Sequence, residues 1–199
     1  VSIDPSGAVK LAVQPGILRQ VIDAEHALRE LEEWKERRGP LLSTGFPVID
    51  QCTEGLDFGQ VWVIVSPPGH GRSTLTLNLA ATLADSGVAT EFLSLRDSLN
   101  LVSARLLAAR AKVPIHRLLR DEAEGDDGPR LHAAVTRLRE LPLRIAYSTD
   151  AFDASRSARN PRAYVVDDFD RSSFRDLHTL KANSERGGII IVSMPRHIV

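Results

Sequence analysis

Apolar positions along the chain change period several times, and each change marks an element. Residues 61–65 read Val-Trp-Val-Ile-Val, a continuous β-branched and aromatic run of strand length. Such a run suits a strand buried on both faces of a parallel sheet. A Pro/Gly-rich turn follows. Over 73–85 Leu75, Leu79 and Leu83 then recur at helical spacing, with Gly87 as the stop. The same alternation predicts further strands at 89–95, 143–147, 163–166 and 188–193, and helices at 99–112, 116–120, 131–141 and 174–186. Ser98 or Asn100 caps the helix at 99–112, and Val113-Pro114 breaks it. Residues 121–129, acidic and Gly-rich, read as a solvated loop, and 148–161 as a polar loop without period. Strands alternating with helices imply right-handed crossovers and an α/β fold, a mostly parallel twisted sheet flanked by helices.

The chain ahead of this alternation is patterned differently. Residues 1–16 carry Asp4-Pro5, Ser6-Gly7 and Pro15-Gly16 as turn signals, with 9–13 as a short strand or extended arm. Over 17–38 Leu18, Val21, Ile22, Leu28, Leu31 and Trp34 recur near helical spacing among Glu and Arg, and Gly39-Pro40 ends the helix. Such an amphipathic helix either packs on its own domain or docks on a neighbouring subunit. The expected organisation is an N-terminal arm and helix at 1–38 and an α/β domain at 39–199. Residues 44–50 look like a turn entering a short helix.

Composition narrows the class of protein. The chain has 199 residues, 43% hydrophobic and 26% charged, as in ordinary globular domains. A net charge of −1 leaves any nucleic-acid contact to local basic patches. The single cysteine, Cys52, excludes an internal disulfide framework. No run approaches a membrane span, and the N-terminus lacks a signal-peptide pattern. A soluble, cytoplasmic protein with no membrane partner is expected.

Candidate chemistry concentrates after the strand at 61–65. A loop that binds phosphate needs glycines to turn backbone N–H groups inward, a cation for the β/γ-phosphates and a hydroxyl for Mg²⁺. Ser66, Pro68, Gly69, His70, Gly71, Arg72, Ser73 and Thr74 supply that layout, with Arg72 at the cation position and Ser73 as the magnesium hydroxyl. His70 reads as a spacer. Arginine keeps the charge but is longer and planar, and does not replace a compact ammonium one for one. A second element is Tyr164-Val-Val-Asp167-Asp168. An apolar strand ending in Asp at the carboxyl edge of a parallel sheet can place Asp167 behind the metal. No Cys/His cluster points to another metal site.

The run Ser43-Thr-Gly-Phe-Pro-Val-Ile-Asp50, then Gly55-Leu56, Gly59, the loop and Thr76-Leu-Asn-Leu-Ala80 resembles the C-terminal motor domain of DnaB-type replicative DNA helicases. So do Phe92-Leu-Ser-Leu95, Ser103-Ala-Arg-Leu-Leu-Ala-Ala-Arg110 and Val113-Pro-Ile-His-Arg-Leu118. The resemblance covers about 39–197, with 17–38 at the position of the family's linker helix. It implies a RecA-like P-loop NTPase fold, ATP and Mg²⁺ as ligands, self-association into a ring, and single-stranded DNA in a central channel.

Departures from the family fall on the chemistry. The family carries Lys where Arg72 stands, and a water-activating Glu where Arg96 stands. A guanidinium cannot accept a proton. Asp97, one residue on, and Asp168 are the candidate substitutes as base. After Asp167 the family's Tyr-Leu-Gln is Asp168-Phe169-Asp170, and a sensing glutamine is Met194. The resemblance places an arginine finger beyond Val199, so the domain reads as truncated at its C-terminus. Candidate DNA contacts are Arg156, Arg159, Arg162, Arg171, Arg175 and Lys181, with Arg186 nearby. Three readings follow. The first is a degenerate, DnaB-like nucleotide-binding protein of DNA replication or a related DNA transaction, with weak or no ATPase. The second is an active ATP-dependent helicase. The third is a non-enzymatic interaction protein that docks on a helicase or its loader.

Overall fold

The computed structural model describes residues 2–3, 9–10, 23–37, 39–147, 162–169 and 188–195. The chain divides into two compact units, Val1–Pro40 and Leu41–Val199. In the first, β1 (Ser2–Ile3) and β2 (Val9–Lys10) pair antiparallel. Helix α1 (Ala24–Arg37) is opened by Asp23, whose carboxylate accepts the N–H of His26 at 2.8 Å. Glu25–Arg29 and His26–Glu30 pairs lie one turn apart along it, and Leu28, Leu31 and Trp34 are exposed. The predicted helical residues 17–22 lie outside the described residues.

Among the described residues, the second unit is built on a five-stranded, all-parallel sheet in the order β3-β7-β6-β4-β5. The strands are β3 (Val61–Ser66), β4 (Thr90–Ser94), β5 (Leu143–Tyr147), β6 (Ala163–Asp167) and β7 (Ile189–Pro195). Its helices are α2 (Pro47–Thr53), α3 (Arg72–Asp85), α4 (Leu99–Ala111), α5 (Ile115–Arg120) and α6 (Asp127–Glu140). The chain leaves β3, runs through α3 and enters the sheet again at β4, two strands beyond its neighbour β7. That crossover lays α3 over the sheet and brings the β3–α3 loop to the carboxyl edge, beside the ends of β6 and β7.

Alternation along the strands divides the core into two layers. Phe92, Val165, Ile189 and Ile191 face α3, where Leu77, Leu79, Ala80, Ala81 and Leu83 are buried. The alanines of α3 let the helix approach the sheet closely. On the opposite face Leu93, Tyr164, Val166, Ile190 and Val192 pack with Phe169. Burial holds the Tyr164 hydroxyl above its ordinary pKa, and Glu91 adds to the effect. At the entrance to the domain, Asp50 on α2 accepts from the Ser43 hydroxyl at 2.6 Å and from the N–H and hydroxyl of Thr44 at 2.8 and 2.6 Å. These donors, Ser43 first, hold its carboxyl below the ordinary value.

Several expectations are corrected. The strand at 61–65 is not buried on both faces: Val63 and Val65 are 52% and 54% exposed, and among the described residues it stands at the edge of the sheet. A β-branched run specifies a strand, but its place in the sheet is set by pairing with distant segments. The helix expected from 131 begins at Asp127, four residues earlier, and takes in the last three residues of the stretch read as a solvated loop. Asp127 is buried because its carboxylate accepts the N–H of Glu124 at 3.1 Å and pairs with Arg117 at 3.2 Å and Arg130 at 2.5 Å. Strand β7 continues two residues past 193. Ser98 caps α4, accepting the N–H of Leu101. The loop expected at 148–161 and the helix at 174–186 lie outside the described residues.

The Glu124 amide, and then the two guanidiniums, hold the Asp127 carboxyl below its ordinary value against the cost of burial. Its contribution to stability is therefore complete above about pH 4, the unfolded-state value, and is lost as pH falls through the lower native one. Asp127→Asn should melt below the wild type at pH 7, with the gap closing as pH falls below about 4. Equal melting temperatures at pH 7 would contradict this account of the α6 start.

Candidate phosphate-loop site

Between β3 and α3 the backbone turns through Gly69 and Gly71, at φ +79° and +77°. A side chain at either would be strained in this left-handed region. A Cβ built on either meets nothing within 4 Å among the described residues, so backbone conformation rather than crowding selects glycine at both positions. Gly71 is the N-cap of α3 and supplies no side-chain cap. The first N–H groups of the helix, those of Arg72, Ser73 and Thr74, thus lack an intrahelical acceptor and carry the positive end of the helix dipole. They line a cavity of about 300 Å³ with Pro67, Pro68, Gly69, Gly71, Arg96, Asp97, Arg105, Asp167 and Asp168. The geometry suits an anion with several oxygens.

Behind the loop, the end of β6 is fixed by hydroxyl groups. Asp167 is buried, and its Oδ1 accepts from Ser193 of β7 at 2.5 Å and from Thr76 of α3 at 3.1 Å. The Ser193 hydroxyl also accepts the Asp168 N–H at 2.9 Å. One hydroxyl on the intervening strand thus positions both acidic residues. Asp168 itself sits at φ +64°, a region that Asp tolerates better than most side chains.

The charged groups around the cavity are paired with one another. Arg72 is 8% exposed; its Nη1 donates to the Ser66 carbonyl at 3.0 Å and its Nη2 contacts Asp168 Oδ1 at 2.5 Å. Among the described residues its buried Nε has no hydrogen-bond partner. Arg96 Nη1 lies 3.6 Å from Asp168 Oδ2. Asp97 pairs with Arg105 of α4, and its N–H donates to the Ser94 hydroxyl at 3.0 Å. Among the described residues lining the cavity, two carboxylates are held by guanidiniums and the third by hydroxyls. No group of three or more His, Cys, Asp or Glu suited to a metal ion occurs among the described residues.

Most candidate loop residues come together here. Gly69, Gly71, Arg72, Ser73 and Thr74 line the cavity with Pro68, while Ser66 ends β3 and offers its carbonyl to Arg72. His70 is exposed, its Nδ1 3.0 Å from the Pro68 carbonyl. Asp97, Asp167 and Asp168 also line it. Of the DNA candidates, Arg162 alone is described: it stands at the amino end of β6, its guanidinium 4.1 Å from the Phe58 ring centroid. Arg156, Arg159, Arg171, Arg175 and Lys181 lie outside the described residues. Sequence reading missed Thr76 and Arg105. Thr76 falls one turn after Arg72, which could have marked it; Arg105 meets Asp97 across a turn and leaves no spacing signal.

The fold is RecA-like. It matches the ATPase domain of G40P with a TM-score of 0.69 and 16% identity, over 87% of this chain and 71% of that one. It also matches a DnaB-like replicative helicase, described with its interactions with primase, at a TM-score of 0.70 and 16% identity, over 87% and 48% of the two chains. The model of the DnaB-like helicase C-terminal domain family matches residues 42–163, and the chain belongs to that family. Residues over a 122-position match are 32% identical to the replicative DNA helicase DnaB of Leifsonia xyli subsp. xyli (strain CTCB07), covering 60% of this chain and 27% of that protein. A probable replicative DNA helicase of Trieres chinensis is 30% identical over 105 residues, 52% and 23% of the two. The chain spans about a quarter of the length of these relatives. No helix among the described residues is long and apolar enough to cross a membrane.

Removing the Ser193 hydroxyl would leave the Asp168 N–H and one Asp167 oxygen short of a partner. Ser193→Ala should lower unfolding free energy by about 1–3 kcal/mol, read from urea denaturation. An unchanged midpoint would contradict the positioning role.

Proposed function

We propose that this domain binds ATP with Mg²⁺ in a helicase-like protein of DNA replication or a related DNA transaction, and turns it over weakly or not at all. The observation that carries the reading is the glycine turn ahead of an uncapped α3, facing a cavity whose carboxylates are already engaged. The N–H groups from Gly69 to Thr74 would hold the phosphate oxygens, and Arg72 would add a forked cation. The donor set also suits magnesium, with the Ser73 hydroxyl beside the phosphates and Asp167 behind it. The metal, when bound, would shield charge on the phosphate oxygens.

Turnover needs a group that takes a proton from water. Arg96 cannot. Asp97 and Asp168 are each engaged by guanidiniums, so neither carboxylate stands free to face an attacking water. A positioned base is worth about 10²–10⁴ in rate. An active helicase would have to free one of these carboxylates or recruit a base from elsewhere. Titration should give saturable Mg–ATP binding, weakened about tenfold or more by Arg72→Ala, since a charge-assisted hydrogen bond is worth roughly 1.5–3 kcal/mol. Steady-state phosphate release should stay at background with and without single-stranded DNA. Stimulated turnover would favour the active-helicase reading; absence of binding would remove both and leave the interaction-protein reading.

Ring assembly is the second part of the proposal. Its support is α1, where Leu28, Leu31 and Trp34 are exposed on an otherwise mostly charged helix, together with family membership. Light scattering should report an oligomer that Leu28→Asp/Leu31→Asp reduces. A wild-type monomer that captures a helicase subunit would instead support docking on a helicase or its loader.

A further inference from the structure

Two of the residues that depart from the family pattern meet each other. Arg72 stands at the cation position of the loop, Asp168 follows the strand-end Asp167, and they are joined by the 2.5 Å contact across 96 positions of sequence. Arg96, a third departure, approaches the other oxygen of the same carboxylate at 3.6 Å. Asp168 therefore bridges two guanidiniums, as two oxygens of a phosphate group would. Its own backbone is fixed by Ser193 and its side chain is 18% exposed, so the carboxylate is held in the cavity rather than left to wander in solvent.

We propose that Asp168 is a built-in competitor for phosphate, occupying Arg72 and Arg96 until the phosphate chain of a nucleotide displaces it. The proposal rests on the nucleotide-binding reading and adds to it how affinity is set. The cavity holds Arg72, Arg96 and Arg105 against Asp97, Asp167 and Asp168, so an entering polyanion meets a site whose cations are already neutralised. To bind, phosphate must take over the two guanidiniums, and Asp168 must give them up while standing near a like charge. The buried Arg72 Nε, which has no hydrogen-bond partner among the described residues, is a further donor that the displaced arrangement can use. Arg96, 72% exposed, is able to swing from Asp168 onto a phosphate without losing a buried contact. A position that carries a water-activating carboxylate elsewhere in the family thereby becomes a phosphate ligand.

The decisive experiment is calorimetric titration of the full chain with ADP and with ATP, each with and without Mg²⁺, comparing wild type, Asp168→Asn and Asp168→Ser. Thermal melting first confirms which variants are folded, and the serine variant serves if the amide one is not. Removing the competing charge should tighten binding about tenfold or more, the size of one charge-assisted hydrogen bond. Arg72→Ala placed in the Asp168→Asn background should abolish most of that gain, and Arg96→Ala should reduce it. Folded variants that bind no tighter than the wild type would overturn the competitor role and leave the nucleotide reading standing. No binding by wild type or variants would overturn both.

Discussion

The hydroxyl of Ser193 is the contact on which the site depends. It donates to the buried Asp167 carboxylate and accepts the N–H of Asp168, while Thr76 reaches the same Asp167 oxygen from α3. Three elements from distant parts of the chain, β6, β7 and α3, are thereby tied at one point on the carboxyl edge of the sheet. The tie works only because β7 lies between β3 and β6, and because the β3–α3–β4 crossover lays α3 over the same edge. The sheet order thus fixes where the loop stands relative to the two aspartates.

On that frame the chemistry has been redistributed rather than erased. The glycine turn and the uncapped start of α3 depend on the backbone alone, and they are intact. The side chains around them are tied to one another: the Arg72 guanidinium in the loop and the Arg96 guanidinium after β4 both meet the acid beside Asp167. Backbone donors hold oxygens regardless of side-chain identity, whereas proton transfer needs a free carboxylate. Under the proposed function, retaining the first and occupying the second would separate binding from turnover.

Local patterns were the legible part of the chain. Strands and helices that follow a period of two or 3.6 over several residues, such as α3, α4 and β4, are visible because the signal lies within one window. The glycine turn was equally visible, since left-handed φ values select the residue type. What could not be read is set by partners far away. The place of β3 in the sheet follows from pairing with β7, more than 120 residues on. Asp127 looked solvated in an acidic stretch, yet Arg117 and Arg130 bury it. The Arg72–Asp168 pair was invisible although both residues were singled out, because each was read against a ligand and not against the other.

The central claim is that the loop amides, and not a catalytic carboxylate, are what this domain brings to a nucleotide. Amide-resolved NMR during titration with Mg–ATP tests it most directly. The account predicts saturable shifts of the Gly69, Gly71, Arg72, Ser73 and Thr74 amides, with the nucleotide signals unchanged over hours. Loop amides that stay in place, or ATP converted to ADP during the titration, would contradict it.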